Sequence, residues 1–330
     1  MIRRLKPVET GYHQDRRCMD GTRKVLLKKI TNWVASTSVE GKVLDGNTYW
    51  FYGLPGIGNT SLAHSISASL DDQEQLAGAF FCRRDDPELS EPRNILPTLV
   101  HKLAIIFPPF QSIVAERLRI SPNMTPESMK HSLFLEFISK LPRLPNKPLV
   151  FVIDALDECG GTQSRPDILK AFTDTAAHAP WLKVIVISRP EDDIQRFFND
   201  PTEVLHLQYD LTADKETTPD LRIFAEYRFK RVALTSFLQS PWPEQSLFDE
   251  VISRAVGLFN FIETLALALD HCDDPAELLK ASLQDSAGAG LMSLYGLYSK
   301  YHQSTESAKE CRISANDWSP SHHRTAPPPV

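Results

Sequence analysis

The sequence predicts an α/β protein, a parallel doubly wound sheet followed by a helical annex. Short apolar runs alternate with stretches of helical period between about residues 48 and 210, the pattern of strands joined by crossover helices. Two of those runs, Leu149-Val150-Phe151-Val152-Ile153 and Val184-Ile185-Val186-Ile187, contain no polar residue, as strands covered by helices on both faces require. From about Thr217 onward the apolar residues repeat at helical spacing only, which predicts an appended helical domain.

In chain order, Leu26, Ile30, Trp33 and Val34 share one face of a helix between Gly21 and about Ala35, and residues 36–47 are polar and loop-like. Thr48-Tyr49-Trp50-Phe51-Tyr52 is a β-branched and aromatic run that ends in glycine, a buried strand entering a tight loop. Leu62, Ile66 and Leu70 then repeat as a helix, Ala77-Gly78-Ala79-Phe80-Phe81 makes a second strand, and Leu96, Leu99, Val100, Leu103 and Phe107 a further helix. Thr125-Pro126-Glu127 opens another helix with an N-cap residue and proline at its first position, and helix is expected to about Leu141. After the proline-rich loop 142–148 come the apolar strand 149–153, a helix over about 166–179, the strand 184–187 and a last strand at Val204-Leu205-His206-Leu207. The annex predicts helices near 219–238, 246–256, 257–271, 275–283 and 289–301, and the polar segment 303–330, ending in three prolines, reads as a disordered tail. The expected plan is a helical lead-in at 1–47, the sheet domain at 48–210, the annex at 211–302 and the tail.

Composition narrows the function classes. The 330 residues are 42% apolar, enough for one large core and a smaller one, and a net charge of −6 gives no basic surplus for a nucleic-acid track. Five cysteines without C-x-x-C spacing argue against a disulfide framework or a zinc site, and point to a reducing compartment. The start has no apolar signal core, and no stretch approaches the roughly 18 uninterrupted apolar residues of a membrane span. A cytoplasmic protein without nucleic-acid or membrane partners is expected. His271-Cys272, His206, Cys82 and Cys159 are expected to be structural rather than catalytic or metal-binding.

Gly53-Leu54-Pro55-Gly56-Ile57-Gly58-Asn59-Thr60 lies between the first strand and a helix and fits the phosphate-loop pattern G-x-x-x-x-G-K-[ST] at every fixed position except the lysine, which is Asn59. Backbone amides from Gly56 to Thr60, at a helix N-terminus, can form a nest for phosphate oxygens. Gly53, Gly56, Ile57, Gly58, Asn59, Thr60 and Ser61 are the candidate nucleotide-binding residues, with Thr60 placed to hold Mg²⁺. The same glycines also fit a plain turn after a strand. Asparagine removes the positive charge that faces the β- and γ-phosphates, so binding should weaken and hydrolysis should suffer more.

The strand at 149–153 ends in Asp154, where a carboxylate emerges at the sheet's carboxyl edge and can hold Mg²⁺. Three residues on, Asp157 and Glu158 are candidates to orient or deprotonate an attacking water. An N-cap cluster at a strand-to-helix turn is the alternative. Arg189, directly after the strand 184–187, can reach a γ-phosphate from a neighbouring strand end; an exposed arginine before a proline turn reads the same.

Taken together these residues resemble the NACHT class of STAND signalling NTPases, specifically the nephrocystin-like N-terminal NACHT modules of fungal proteins. The pieces that carry the likeness are Cys18-Met19-Asp20-Gly21-Thr22-Arg23, Trp50-Phe51-Tyr52-Gly53-Leu54-Pro55-Gly56-Ile57-Gly58, Phe80-Phe81-Cys82-Arg83-Arg84-Asp85, Val152-Ile153-Asp154-Ala155-Leu156-Asp157-Glu158-Cys159 and Ile187-Ser188-Arg189-Pro190. Asp220-Leu221-Arg222-Ile223-Phe224, Pro241-Trp242-Pro243 and Gly257-Leu258-Phe259 resemble that family's helical and winged-helix annex. The resemblance implies ATP or GTP binding, Mg²⁺ at Thr60 and Asp154, a hydrolytic role for Asp157 or Glu158, and γ-phosphate sensing by Arg189. It also implies a switch: nucleotide exchange opens the annex and permits oligomerisation with itself or other NACHT-type chains, often in innate-immune responses.

Three departures set the expectations. Asn59 replaces the family's lysine, the roughly 45 residues before the first strand leave no room for an effector domain, and no ankyrin, WD or TPR period follows the annex. A truncated or decoy member is one expectation. The leading function is a nucleotide-dependent signalling switch with impaired hydrolysis. A second is an active NTPase or P-loop kinase in which another basic residue replaces the lysine. A third is a pseudo-NTPase scaffold that binds no nucleotide and co-oligomerises with intact relatives.

Overall fold

The computed structural model describes residues 2–36, 46–121, 134, 136–138, 140–141, 147–203, 206–239 and 241–284. The expected helix start at Thr125, most of the proline-rich loop, Val204 and Leu205, the expected helix at 289–301 and the polar tail lie outside the described residues. The chain forms two compact units: Met1–Arg17, Val25–Leu54 and Asn59–Leu211 make the first, and Cys18–Lys24, Pro55–Gly58 and Thr212–Val330 the second.

The first unit is built on five strands, β1 (Thr48–Tyr52), β2 (Leu76–Phe81), β3 (Leu149–Asp154), β4 (Leu182–Ser188) and β5 (Leu207–Asp210). All pair in parallel, in the order β2-β3-β4-β1-β5. Its described helices are α1 (Lys24–Ala35), α2 (Asn59–Asp72), α3 (Ile95–Ile106), α4 (Pro108–Ile120), α5 (Ser164–His178) and α6 (Asp192–Asn199). Every residue of β3 and β4 is buried, which is why their sequences carry no alternation. Lys183 is the exception in composition: buried in β4, it donates from Nζ to the Trp33 carbonyl and, at 2.9 Å, to the Ser36 carbonyl, closing the C-terminal end of α1. Phe80, Phe110, Phe151 and Phe172 centre the core.

Strand order and register together place the site. β1 sits between β4 and β5 while β2, next in sequence, lies at the far edge, and such a reversal of order opens a crevice at the carboxyl ends of the strands. Asp154 pairs with Phe81 and Ile187, and Tyr52 with Ser188 and Asp210. Gly53, Asp154 and Arg189 therefore leave the sheet at one edge.

Two local expectations are corrected. Of the expected strand at 204–207, Leu207 opens β5 and His206 lies before it; β5 runs on to Asp210, is seen paired with β1 and contains Gln208 and Asp210, so an edge strand of this kind has little apolar run to announce it. α6 was not expected; its eight residues hold only four buried ones, Asp193, Ile194, Phe197 and Phe198.

The second unit packs α7 (Thr217–Thr235), α8 (Gln245–Ala255), α9 (Phe259–Asp270) and α10 (Pro275–Gln284) around Leu221, Phe229, Phe248, Phe261, Leu265 and Leu279. Among its described residues the annex is helical throughout, with no strand of a winged helix. No helix among the described residues is long and apolar enough to cross a membrane.

Candidate nucleotide-binding site

The glycine loop follows β1 directly, and α2 begins at Asn59, so Asn59, Thr60 and Ser61 form a first helical turn whose N–H groups lack intrahelical partners. Asn59 Nδ2 donates to the Gly53 carbonyl at 3.2 Å, which fixes which end of the amide is which. Its Oδ1 is buried and makes no hydrogen bond.

Thr60 reaches the end of β3. Its hydroxyl faces the Asp154 carboxyl group, whose pKa is raised to about 7 by burial, against the lowering effect of that hydroxyl. Asp157 and Glu158 add like charge that raises it further. Asp154 is 1% exposed, and its Oδ1 has no hydrogen-bond partner. A buried carboxylate oxygen left open beside a threonine hydroxyl fits a hard divalent cation, which takes oxygen ligands and retains waters, as Mg²⁺ does. Among the described residues no group of three or more His, Cys, Asp and Glu side chains offers an all-protein metal cage.

Beyond Asp154 the chain turns through Ala155, whose φ of 54° is left-handed, into a short 3-10 turn at Leu156–Glu158. A non-glycine residue held there costs on the order of 1 kcal/mol. The turn presents both acids to the residue after β4. The Arg189 N–H donates to Asp157 Oδ1 at 3.0 Å, and its guanidinium lies 3.4 Å from Asp157 Oδ2 and 3.7 Å from Glu158 Oε1. The contact to Oδ2 is an ion pair without hydrogen-bond alignment. Glu158 also accepts from the Arg84 N–H at 3.2 Å. The three residues expected to be catalytic thus meet, but as an ion-paired cluster. Asp157 is 3% exposed and Glu158 22%, so Glu158 is the carboxylate open to water.

Sequence reasoning missed the residue that holds this turn. Arg165, buried at the start of α5, donates to the carbonyls of Asp157 at 2.6 Å, Cys159 at 3.0 Å and Gly160 at 3.2 Å, and faces Asp193 at 3.4 Å. Cys82 and Cys159 lie against one another, both buried, and burial pushes the Cys82 thiol up, so Cys82 is not a poised nucleophile.

Gly56, Ile57 and Gly58 belong to the second unit. Gly56 and Gly58 take φ values of 86° and 96°, and a Cβ on Gly56 would lie 3.0 Å from Asn260 Cβ. The Gly56 carbonyl accepts from the Asn260 N–H at 3.1 Å, in the first turn of α9, and the Ile57 carbonyl from Arg23 Nη2 at 3.0 Å. In the sequence Arg23 stands only within the motif Cys18–Arg23, which gives it no role.

A strand, a glycine loop and a helix, with an acid ending β3 and an arginine following β4, define a P-loop module. The chain belongs to the nephrocystin 3 N-terminal family: the family model "Nephrocystin 3, N-terminal" matches residues 21–189, more than half of it. Among solved structures the chain is similar to domain III of the Thermotoga maritima replication initiation protein DnaA, at 11% identity and a TM-score of 0.41 over 88% of this chain and 99% of that one. It is similar to AMPPCP-bound DnaA from Aquifex aeolicus, at 10% identity and a TM-score of 0.41 over 81% and 69%. It is also similar to C. elegans PCH-2, at 9% identity and a TM-score of 0.38 over 89% and 72%. No curated protein matches the chain in sequence.

Proposed function

We propose that this chain is a nucleotide-binding signalling switch of the NACHT type, taking ATP or GTP with Mg²⁺, in which Asn59 impairs hydrolysis. The observation that carries the reading is Asp154, a buried carboxyl group beside the Thr60 hydroxyl whose Oδ1 has no hydrogen-bond partner, at the end of the strand where a P-loop module holds its metal. Mg²⁺, when bound, supplies positive charge to the phosphate chain. Thr60 and Asp154 would hold it, and the loop amides would bind the phosphate oxygens.

Three side chains would manage turnover. Glu158, the more exposed acid, orients the water. Asp157 holds Arg189 through both its backbone N–H and its guanidinium, and Arg189 turns from that pair towards a γ-phosphate. Asn59 adds no charge and has its amide committed to Gly53, so charge stabilisation falls to the amides and the metal. The same commitment favours the second reading, a pseudo-NTPase scaffold that binds no nucleotide. In either case the partners are copies of itself or other NACHT-type chains, and cytoplasmic location is part of the proposal.

Phosphate release from MgATP is the test, with wild type, Asn59→Lys and the double variant Asn59→Lys/Asp154→Asn. Turnover by Asn59→Lys roughly 100-fold above wild type, abolished in the double variant, is expected, a lowering of the barrier by about 2.7 kcal/mol. Wild-type turnover equal to that of Asn59→Lys would overturn the impaired-hydrolysis reading.

A further inference from the structure

Arg23 is 4% exposed, and both terminal nitrogens of its guanidinium have partners. Nη1 donates to Thr217 Oγ1 at 2.9 Å and pairs with Asp214 Oδ2 at 3.2 Å; Nη2 donates to the Ile57 carbonyl at 3.0 Å; the plane lies 5.2 Å from the centre of the Phe259 ring. Its own N–H donates to Asp220 Oδ2 at 3.0 Å. Burial raises the Asp220 carboxyl pKa, and the Arg23 contacts oppose that rise. A strained turn delivers it: Gly21 and Arg23 have φ of 102° and 55°, and Thr22 closes the turn on the Met19 carbonyl at 2.7 Å.

Peptide planarity gives these contacts a consequence. In a trans peptide the carbonyl of one residue and the N–H of the next point in opposite directions. Holding the Gly56 carbonyl on Asn260 and the Ile57 carbonyl on Arg23 therefore aims the N–H groups of Ile57 and Gly58 away from those partners. Two successive amides fixed in this sense are what an anion nest requires.

We propose that Arg23 is a positioning residue for the phosphate loop, setting the orientation of the loop tip through Ile57 and tying it to the first turn of α7 through Asp214 and Thr217. The proposal rests on the reading of Gly53 to Thr60 as a phosphate cradle. Arginine is needed because its planar fork grips the carbonyl and the α7 partners at once, whereas a lysine ammonium is a single point on a flexible stem.

Hydrogen–deuterium exchange on the ligand-free full chain tests the link. In both Arg23→Gln and Arg23→Lys, peptides covering 53–61 and 212–221 should lose protection together, by about 10-fold, the scale of one charge-assisted hydrogen bond, while β3 keeps its protection. Full protection in Arg23→Lys would overturn the proposal, because charge alone would then suffice. So would a loss confined to 212–221, or one spread equally over β3. MgADP titration separates this from the parent reading: Asn59→Lys/Arg23→Lys should bind about 10-fold more weakly than Asn59→Lys, about 1.4 kcal/mol. Equal affinities would overturn the positioning role. No binding to folded Asn59→Lys would overturn the cradle itself, while the exchange result still judges the link to α7.

Discussion

Two loops of this molecule are each held by a buried arginine, and they are held differently. Arg165 grips the acidic turn through carbonyls five to eight residues away, with Asp193 at 28. Arg23 grips the phosphate-loop tip at 34 residues and its other partners at 191 to 197. The acidic turn can form early from local contacts, whereas the loop tip gains its shape only once distant segments have assembled, at a larger closure cost. Their charges differ too. Asp157 already has Arg189, while Asp154 Oδ1 and Asn59 Oδ1 are buried without hydrogen-bond partners. The acidic turn already holds a cationic partner in Arg189, whereas the open oxygens of Asp154 and Asn59 have none among the described residues.

The hardest break in this comparison is Arg165→Ala. It frees three carbonyls and leaves Asp193 buried, and the expected loss is roughly 3–5 kcal/mol in urea unfolding; a loss under about 1 kcal/mol would contradict the role given to Arg165. Next comes Asp154→Asn. Because the folded pKa of Asp154 is raised to about 7, above the unfolded value near 4, this group favours folding at pH below about 4, and that contribution disappears as pH rises to 7. Without metal at pH 8 the Asn variant should be about 4 kcal/mol more stable than wild type, and Mg²⁺ should raise the melting temperature of wild type only. Gly56→Ala sharpens the view of the loop tip: a left-handed φ and a 3.0 Å approach to Asn260 should cost about 2 kcal/mol by the same unfolding measurement. Arg189→Ala should cost least, about 1 kcal/mol, since the pair is partly open to water; a larger stability loss than for Arg165→Ala would reverse the ranking of the two loops.

How much of this was legible in the sequence follows from the range of the forces. β3 and β4 are apolar because both faces are covered, so their ends, and with them Asp154 and Arg189, could be located from composition alone. That Arg189 meets Asp157 depends on the parallel register of β3 with β4, which strand order supplies and residue spacing does not. The glycines of the loop announced a turn, but only their φ values and the Asn260 contact show why Gly56 must be glycine. Arg165 looked like any arginine before a proline. Arg23 stood in a quoted motif, yet nothing near it pointed to Asp214, Thr217 or Asp220. The bounds of β5 and the existence of α6 escaped because edge strands and very short helices carry little periodic signal.

The most direct test of the central claim is calorimetric titration of MgATP and MgADP into wild type and Asn59→Lys. The account predicts saturable binding to Asn59→Lys, with wild type weaker by roughly 100-fold, about 2.7 kcal/mol, or without measurable heat. Absence of binding to both chains, each folded by circular dichroism, would contradict the assignment of Gly53 to Thr60 as a nucleotide site.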